Sequence, residues 1–272
     1  MRYREIIPDA FILLLPALAC LAVFYLPDGV KVVLTLNTEN YSILSIYTTN
    51  FVHYEWEHLA GNLAHYLAFG FTSLLLYSHL GYGRVFRFSL PLILVLVPVI
   101  SSVYSLWAVK SYGGSGSIYG FSDVAGAVIG MFGYGGALLI SIDKTDIPYS
   151  YLFLMLVTLY YFVSTYLGLL NAFSAGLLLI AMLPFYVIAA RHAGNREGKK
   201  RIAAGFGLAM VYLFFLSSMF PENLASNGKV VNILGHLMGV VLGIMIPFLL
   251  VTASDRFAGM RGRSAILKKN RN

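Results

Sequence analysis

The polar residues of this chain that could do chemistry lie in three short stretches. The first is His53-Tyr-Glu-Trp-Glu-His58-Leu-Ala-Gly-Asn62. His58 and Asn62 are four residues apart, so on a helix both side chains leave one face and can aim donors at one point. That pair suits an oxyanion, where each preorganised donor in a dry site is worth about 3–4 kcal/mol in the transition state. The plainer reading is a histidine bonded to a carbonyl and an asparagine bridging two helices. His53, His65 and His79 read as structural. The second stretch is Gly113-Gly114-Ser115-Gly116-Ser117-Ile118-Tyr119-Gly120-Phe121-Ser122-Asp123. Its glycines let the backbone approach other groups closely, and a serine opening a helix has amides directed at any anion formed beside it. Gly126 and Gly130 follow Ser122 at four-residue spacing and leave one helix face nearly bare. A flexible loop ending in a serine N-cap is the structural alternative. The third stretch is Asn232-Ile-Leu-Gly235-His236-Leu-Met-Gly239-Val-Val-Leu-Gly243. His236 shares a stripe with Gly239 and Gly243, so it belongs to a face built for close helix contact, either as a base or as a packing histidine.

The elements that position these residues follow from composition. Of 272 residues, 58% are hydrophobic and 11% charged, against roughly 45–50% and 25% in soluble domains. A soluble globular protein is excluded. Uncharged runs cover 10–27, 58–83, 88–109, 124–142, 147–190, 202–221 and 230–254. A bilayer core takes about 20 helical residues to cross, and the run 147–190 holds two such lengths with Gly168 near its middle. The expectation is an all-α polytopic membrane protein of about eight transmembrane helices, at 10–27, 58–80, 88–109, 122–142, 149–168, 170–190, 202–220 and 230–253. Barrel strands are excluded because the runs lack apolar/polar alternation. Residues 1–254 form the transmembrane domain and 255–272 a basic cytoplasmic tail. Pro8 and Asp9 interrupt the basic lead before the first run, which reads as a retained helix rather than a cleaved signal. Cys20 lies inside that helix and reads as a small core residue.

Basic residues set the orientation, since short loops rich in Lys and Arg stay cytoplasmic. With the N-terminus inside, only Lys31, Lys110 and Lys229 of the 19 basic residues lie outside. Both termini are then cytoplasmic, and the protein is expected in the cell membrane. The net charge of +7 follows from this asymmetry and from anionic lipid at the inner face, so no nucleic-acid partner is implied. The same orientation puts His58, Ser122 and His236 each near the outer end of an inward-running helix. A nucleophile, a base and two oxyanion donors at one depth are what acyl transfer needs.

These residues resemble the rhomboid intramembrane serine proteases. His58-Leu-Ala-Gly-Asn62, with His53 upstream and Leu67-Ala-Phe-Gly70 following, is similar to that family's His-x-x-x-Asn pair. Gly235-His236-Leu-Met-Gly239-Val-Val-Leu-Gly243 is similar to its last-helix histidine with spaced glycines. The matched patches cover about a fifth of the chain. Two departures stand. Gly113-Gly114-Ser115-Gly116 fits the family's Gly-x-Ser-Gly literally, whereas Gly120-Phe121-Ser122-Asp123 breaks its last position. Ser122 is preferred over Ser115 because a helix from Ser122 to Ile142 has the length of one span, keeps Asp123 in the first turn where the helix dipole favours it, and heads the Gly126–Gly130 stripe. The second departure is three spans, not one, between the serine and histidine helices, so two helices have been added to a six-helix core.

The resemblance implies a rhomboid-like helical bundle that hydrolyses transmembrane protein substrates within the lipid bilayer, near its outer face. Ser122 and His236 would be the catalytic dyad, without a buried acid, and His58 and Asn62 the oxyanion hole. It implies no metal and no cofactor. The rivals are a catalytically inactive rhomboid-like protein that binds or escorts membrane clients, and a small transporter. A zinc protease of the His-Glu-x-x-His type is excluded, since no histidine of this chain is followed by Glu.

Overall fold

A computed structural model of the chain describes residues 3–111, 114–167, 172–220, 225–226, 229–230 and 232–269. Ten α-helices account for most of it: α1 (Tyr3–Phe24), α2 (Asp28–Leu34), α3 (Ile43–Thr48), α4 (Trp56–His79), α5 (Gly83–Ser111), α6 (Ser122–Ile140), α7 (Ile147–Leu167), α8 (Ala172–Arg191), α9 (Arg196–Met219) and α10 (Ile233–Lys269). Among the described residues seven helices are long and apolar enough to cross a membrane, which makes the chain an all-α, multi-pass membrane protein. The eighth expected span corresponds to α8, a helix of 20 residues of which Gly176–Arg191 is the described apolar part. The turn expected at Gly168 lies outside the described residues.

Several helices outrun their apolar runs. α9 begins at Arg196, where Asn195 caps it by accepting the Glu197 N–H, so Arg196, Lys199, Lys200 and Arg201 belong to its first turns. The backbone hydrogen-bond ladder is satisfied within a helix and need not stop where the hydrocarbon does. α10 continues past Ser254 as far as Lys269 for the same reason.

The core is organised around α6. It is the most enclosed of the spans although its hydropathy is lower than that of α1, α5 or α10, and α10, α9, α4, α5 and α7 all pack on it. In lipid, apolar side chains gain little by leaving the bilayer for a neighbouring helix, so small residues that permit close packing decide which helices meet. The two glycine stripes face one another. A β-carbon at Gly243 would fall on the Ala127 carbonyl oxygen, one at Gly239 on the Asp123 carbonyl oxygen, and one at Gly130 on the Val240 carbonyl oxygen. α6 and α10 are therefore in backbone contact. Gly243→Val, which must part the two helices, is expected to lower stability by about 3 kcal/mol or more, beyond ordinary overpacking. Equilibrium unfolding in mixed detergent measures this.

Outside the bundle, the segment joining α1 to α4 carries α2 and α3 and a two-residue strand, β1 (Leu36–Asn37). It pairs antiparallel with β2 (Ser117–Ile118), in the loop before α6. A second short pair joins β3 (Ala225–Ser226) and β4 (Lys229–Val230). α8 packs on α7 at the margin, around Ile140, Phe153, Val157, Ala181, Phe185 and Ile188.

Candidate active site

Ser122 is the first residue of α6, and the N-cap is Phe121, with no side-chain cap bond. The Ser122 hydroxyl is thus not spent on capping. It donates to His236 Nε2 at 2.8 Å. The other ring nitrogen, Nδ1, donates to the carbonyl of Met219 at 2.7 Å, at the last residue of α9. A carbonyl has no proton to give, so this bond places the ring hydrogen on Nδ1 and leaves the Nε2 lone pair facing the hydroxyl. Asn232 holds the start of α10: its Oδ1 accepts the Gly235 N–H at 3.1 Å and its Nδ2 donates to Ser105 Oγ on α5 at 2.6 Å.

Around Gly120, two residues before Ser122, stand His58 and Asn62 of α4. Gly120 has φ +118°, and a β-carbon there would lie 2.8 Å from His58 Cε1 and 3.0 Å from its Nε2. Only glycine brings the backbone of this loop so close to the imidazole. Asn62 is buried and donates from Nδ2 to His53 Nε2 at 3.0 Å, while the Phe121 N–H donates to the same nitrogen at 3.2 Å. His53, expected only to pack, thus ties the amide of Asn62 to the residue before Ser122. Burial, and secondarily the neighbouring His58, push its pKa down to about 3, so the ring is neutral and Nε2 accepts both bonds. The second Asn62 amide hydrogen is left to point elsewhere, and the first-turn amides of α6 have no intrahelical partner. Nothing in the local sequence around His53 marks this role; its partner Phe121 is 68 residues away.

The loop carrying Gly120 is clamped. The Gly120 N–H donates to the Thr49 carbonyl at 3.1 Å, and the Thr49 hydroxyl donates to the Ile118 carbonyl. Ser115 lies in the exposed part of this loop, outside α6, whereas Ser122 meets the histidine. His65 bonds within α4 to the Gly61 carbonyl at 2.9 Å and accepts from Ser218 of α9 at 3.3 Å, as a structural histidine does.

The expectation of no buried acid needs correction. Asp123 is in the first turn of α6 as foreseen, yet its carboxyl group is buried and Oδ1 is 4.0 Å from His236 Nε2. It lines a cavity of about 20 Å³ beside Ser122, together with Thr49, Asn50, Ser102 and Asn232.

At the far end of α6 a second titratable cluster forms. Asp143, Asp146 and His192 offer ligand atoms within 4.8 Å of one another. Asp146 is already engaged: it accepts from His192 at 2.8 Å, Arg191 at 3.3 Å and the Ile142 and Asp143 amides at 3.1 and 3.0 Å. These bonds staple the end of α6 to the start of α7 and the end of α8.

No protein-family model matches the chain, and a search of curated proteins finds no match.

Proposed function

We propose that this chain is an intramembrane serine endopeptidase similar to the rhomboid proteases, cutting peptide bonds of transmembrane protein substrates near the outer membrane face. The observation that carries the reading is the 2.8 Å hydrogen bond from Ser122 Oγ to His236 Nε2 between residues 114 apart in the chain. A hydroxyl held by the unprotonated nitrogen of an oriented imidazole is the arrangement nucleophilic acyl transfer requires. His236 takes the serine proton as Oγ adds to the peptide carbonyl carbon. The oxyanion is received by Asn62, His58 and the amides opening α6. His236 then gives its proton to the leaving amine, and water attacks the acyl-enzyme with His236 again as base.

Two features support the comparison with that family. α9 reaches α6, α4 and His236 itself, through Met219 and Ser218, and so takes the single helix position between the serine and histidine helices. α7 and α8 are then the added pair. The distribution of Lys and Arg favours both termini in the cytoplasm and the dyad toward the opposite face.

The test is reaction of the folded, detergent-solubilised protein with a fluorophosphonate probe and mapping of the label. Label is expected on Ser122, with Ser115→Ala labelled as fast as the parent. Label on Ser115 would overturn the assignment of the nucleophile. A folded protein that takes no label would instead favour a binder or escort of membrane clients.

A further inference from the structure

We infer that Asp123 is a positioning residue for His236, its buried carboxylate standing against the imidazole nitrogen that takes the serine proton and balancing the positive charge formed there. The inference rests on the dyad reading above and extends it.

Four observations carry it. Asp123 Oδ1 is 4.0 Å from His236 Nε2, the nitrogen that faces Ser122. Oδ1 is buried and has no hydrogen-bond partner among the described residues. A bare carboxylate oxygen in an apolar bundle is unfavourable unless a positive charge is nearby, and among the described residues the positive charge its position offers is a protonated His236. The backbone of α10 is shaped around the group: a β-carbon at Gly235 would lie 2.8 Å from Asp123 Oδ2. Finally, the Nδ1 side of the ring is held by a neutral carbonyl, that of Met219, which orients the imidazole but contributes little to balancing a full charge. Orientation and charge compensation, which one acid at Nδ1 supplies in a Ser-His-Asp triad, are here divided between two groups on opposite sides of the ring.

Among the described residues few other groups could act on this charge. α6 presents Asp123. α9 presents the Met219 carbonyl. α5 presents serine hydroxyls, Ser101 toward the Asp123 carboxyl group itself and Ser102 and Ser105 toward the cavity and Asn232. α7 presents Tyr161 and Tyr166 behind Phe220. α4 presents His58 across Gly120, and His53 behind it stays neutral.

In the proposed step Oγ bonds to the carbonyl carbon and its proton moves to Nε2. The carbonyl electron pair becomes the oxyanion. As the intermediate collapses, the carbon–nitrogen bond breaks, its electrons go to the amine nitrogen, and the Nε2 proton follows. Asp123 exchanges no proton in either step. It lowers the energy of the imidazolium that exists between them.

The test uses the full chain in liposomes and reads the second-order rate of fluorophosphonate labelling against pH, for the parent, Asp123→Asn, Asp123→Ser and the charge-preserving Asp123→Glu. Loss of the carboxylate is expected to move the acid limb of the profile to lower pH by about 1–2 units, as removal of an opposite charge at 4–6 Å does. The plateau rate should fall about 10–100-fold, while Asp123→Glu keeps the limb near its parent position. An uncharged variant whose limb does not move, whatever its plateau, overturns the inference. So does collapse of both uncharged variants with Asp123→Glu folded, which assigns the carboxylate to the fold. Absence of labelling in the parent overturns the serine-hydrolase reading itself, a separate result.

Discussion

Ser122→Ala and His236→Ala should each lower cleavage of a transmembrane substrate by about 10⁴-fold or more, and the double variant should be no slower than either single one. Groups that act as one unit are not additive, because removing the base leaves an ordinary hydroxyl, and removing the hydroxyl leaves a base with nothing to activate. Residual catalysis then comes from the oxyanion donors and from binding. His236→Ala should also abolish fluorophosphonate labelling of Ser122. Packing is controlled for by His236→Gln, which fills most of the volume and offers an amide to the Met219 carbonyl. Its unfolding midpoint should stay near that of the parent while its rate falls with that of His236→Ala. A His236→Ala protein that still cleaves at a tenth of the parent rate would refute the dyad. With a carbonyl, not a carboxylate, on Nδ1, the parent itself is expected to turn over slowly.

Why the sequence reveals some of this site and hides the rest is a matter of which groups carry the contacts. The spans are legible because lipid leaves the backbone no alternative to helices. That α6 and α10 each carry a face for close helix contact is legible because Gly126, Gly130, Gly239 and Gly243 are spaced for it, and the structure brings those two faces into backbone contact. By contrast, the acceptor that orients His236 is the main chain of Met219, and every residue has a carbonyl, so no residue type announces it. The bond from Phe121 to His53 likewise uses a backbone donor. Asp123 misled for a different reason. Its place in the first turn of α6 is explained by the helix dipole alone, and its second neighbour, His236, appears only when α10 is docked through Gly239. In the segment between α1 and α4, α2 and α3 have 7 and 6 residues, too few turns to display a face in the sequence. Basic residues were assigned by loop, which hid that Lys31 is buried, paired with Asp28 at 2.8 Å and set over the Phe24 and Tyr54 rings.

The second large effect is expected on the oxyanion side. His58→Ala and Asn62→Ala should each reduce the rate constant by about 10²–10³-fold, the loss typical of one oxyanion donor, with small changes in thermal stability. His53 touches no reacting atom in this scheme but holds Asn62 and Phe121 through one nitrogen. His53→Ala should therefore approach the Asn62→Ala rate, whereas His53→Asn, whose side-chain oxygen can accept in place of Nε2, should recover part of it. A pH signature tests whether the His53 ring is held neutral in the fold. The folded protein keeps His53 neutral down to about pH 3, while an unfolded histidine takes up its proton near 6.5. Between those values the unfolded state binds more protons, so the His53 contribution weakens the fold as pH falls from about 6.5 toward 3 and is constant outside that window. Measured as unfolding midpoint against pH, the parent should lose stability across this range more steeply than His53→Asn. Parallel curves for the two proteins would show that the ring is not held neutral. If Asn62→Ala also left the rate per folded molecule unchanged, His58, Asn62 and His53 would be a helix-bridging network and the oxyanion would have to be stabilised by the α6 amides alone.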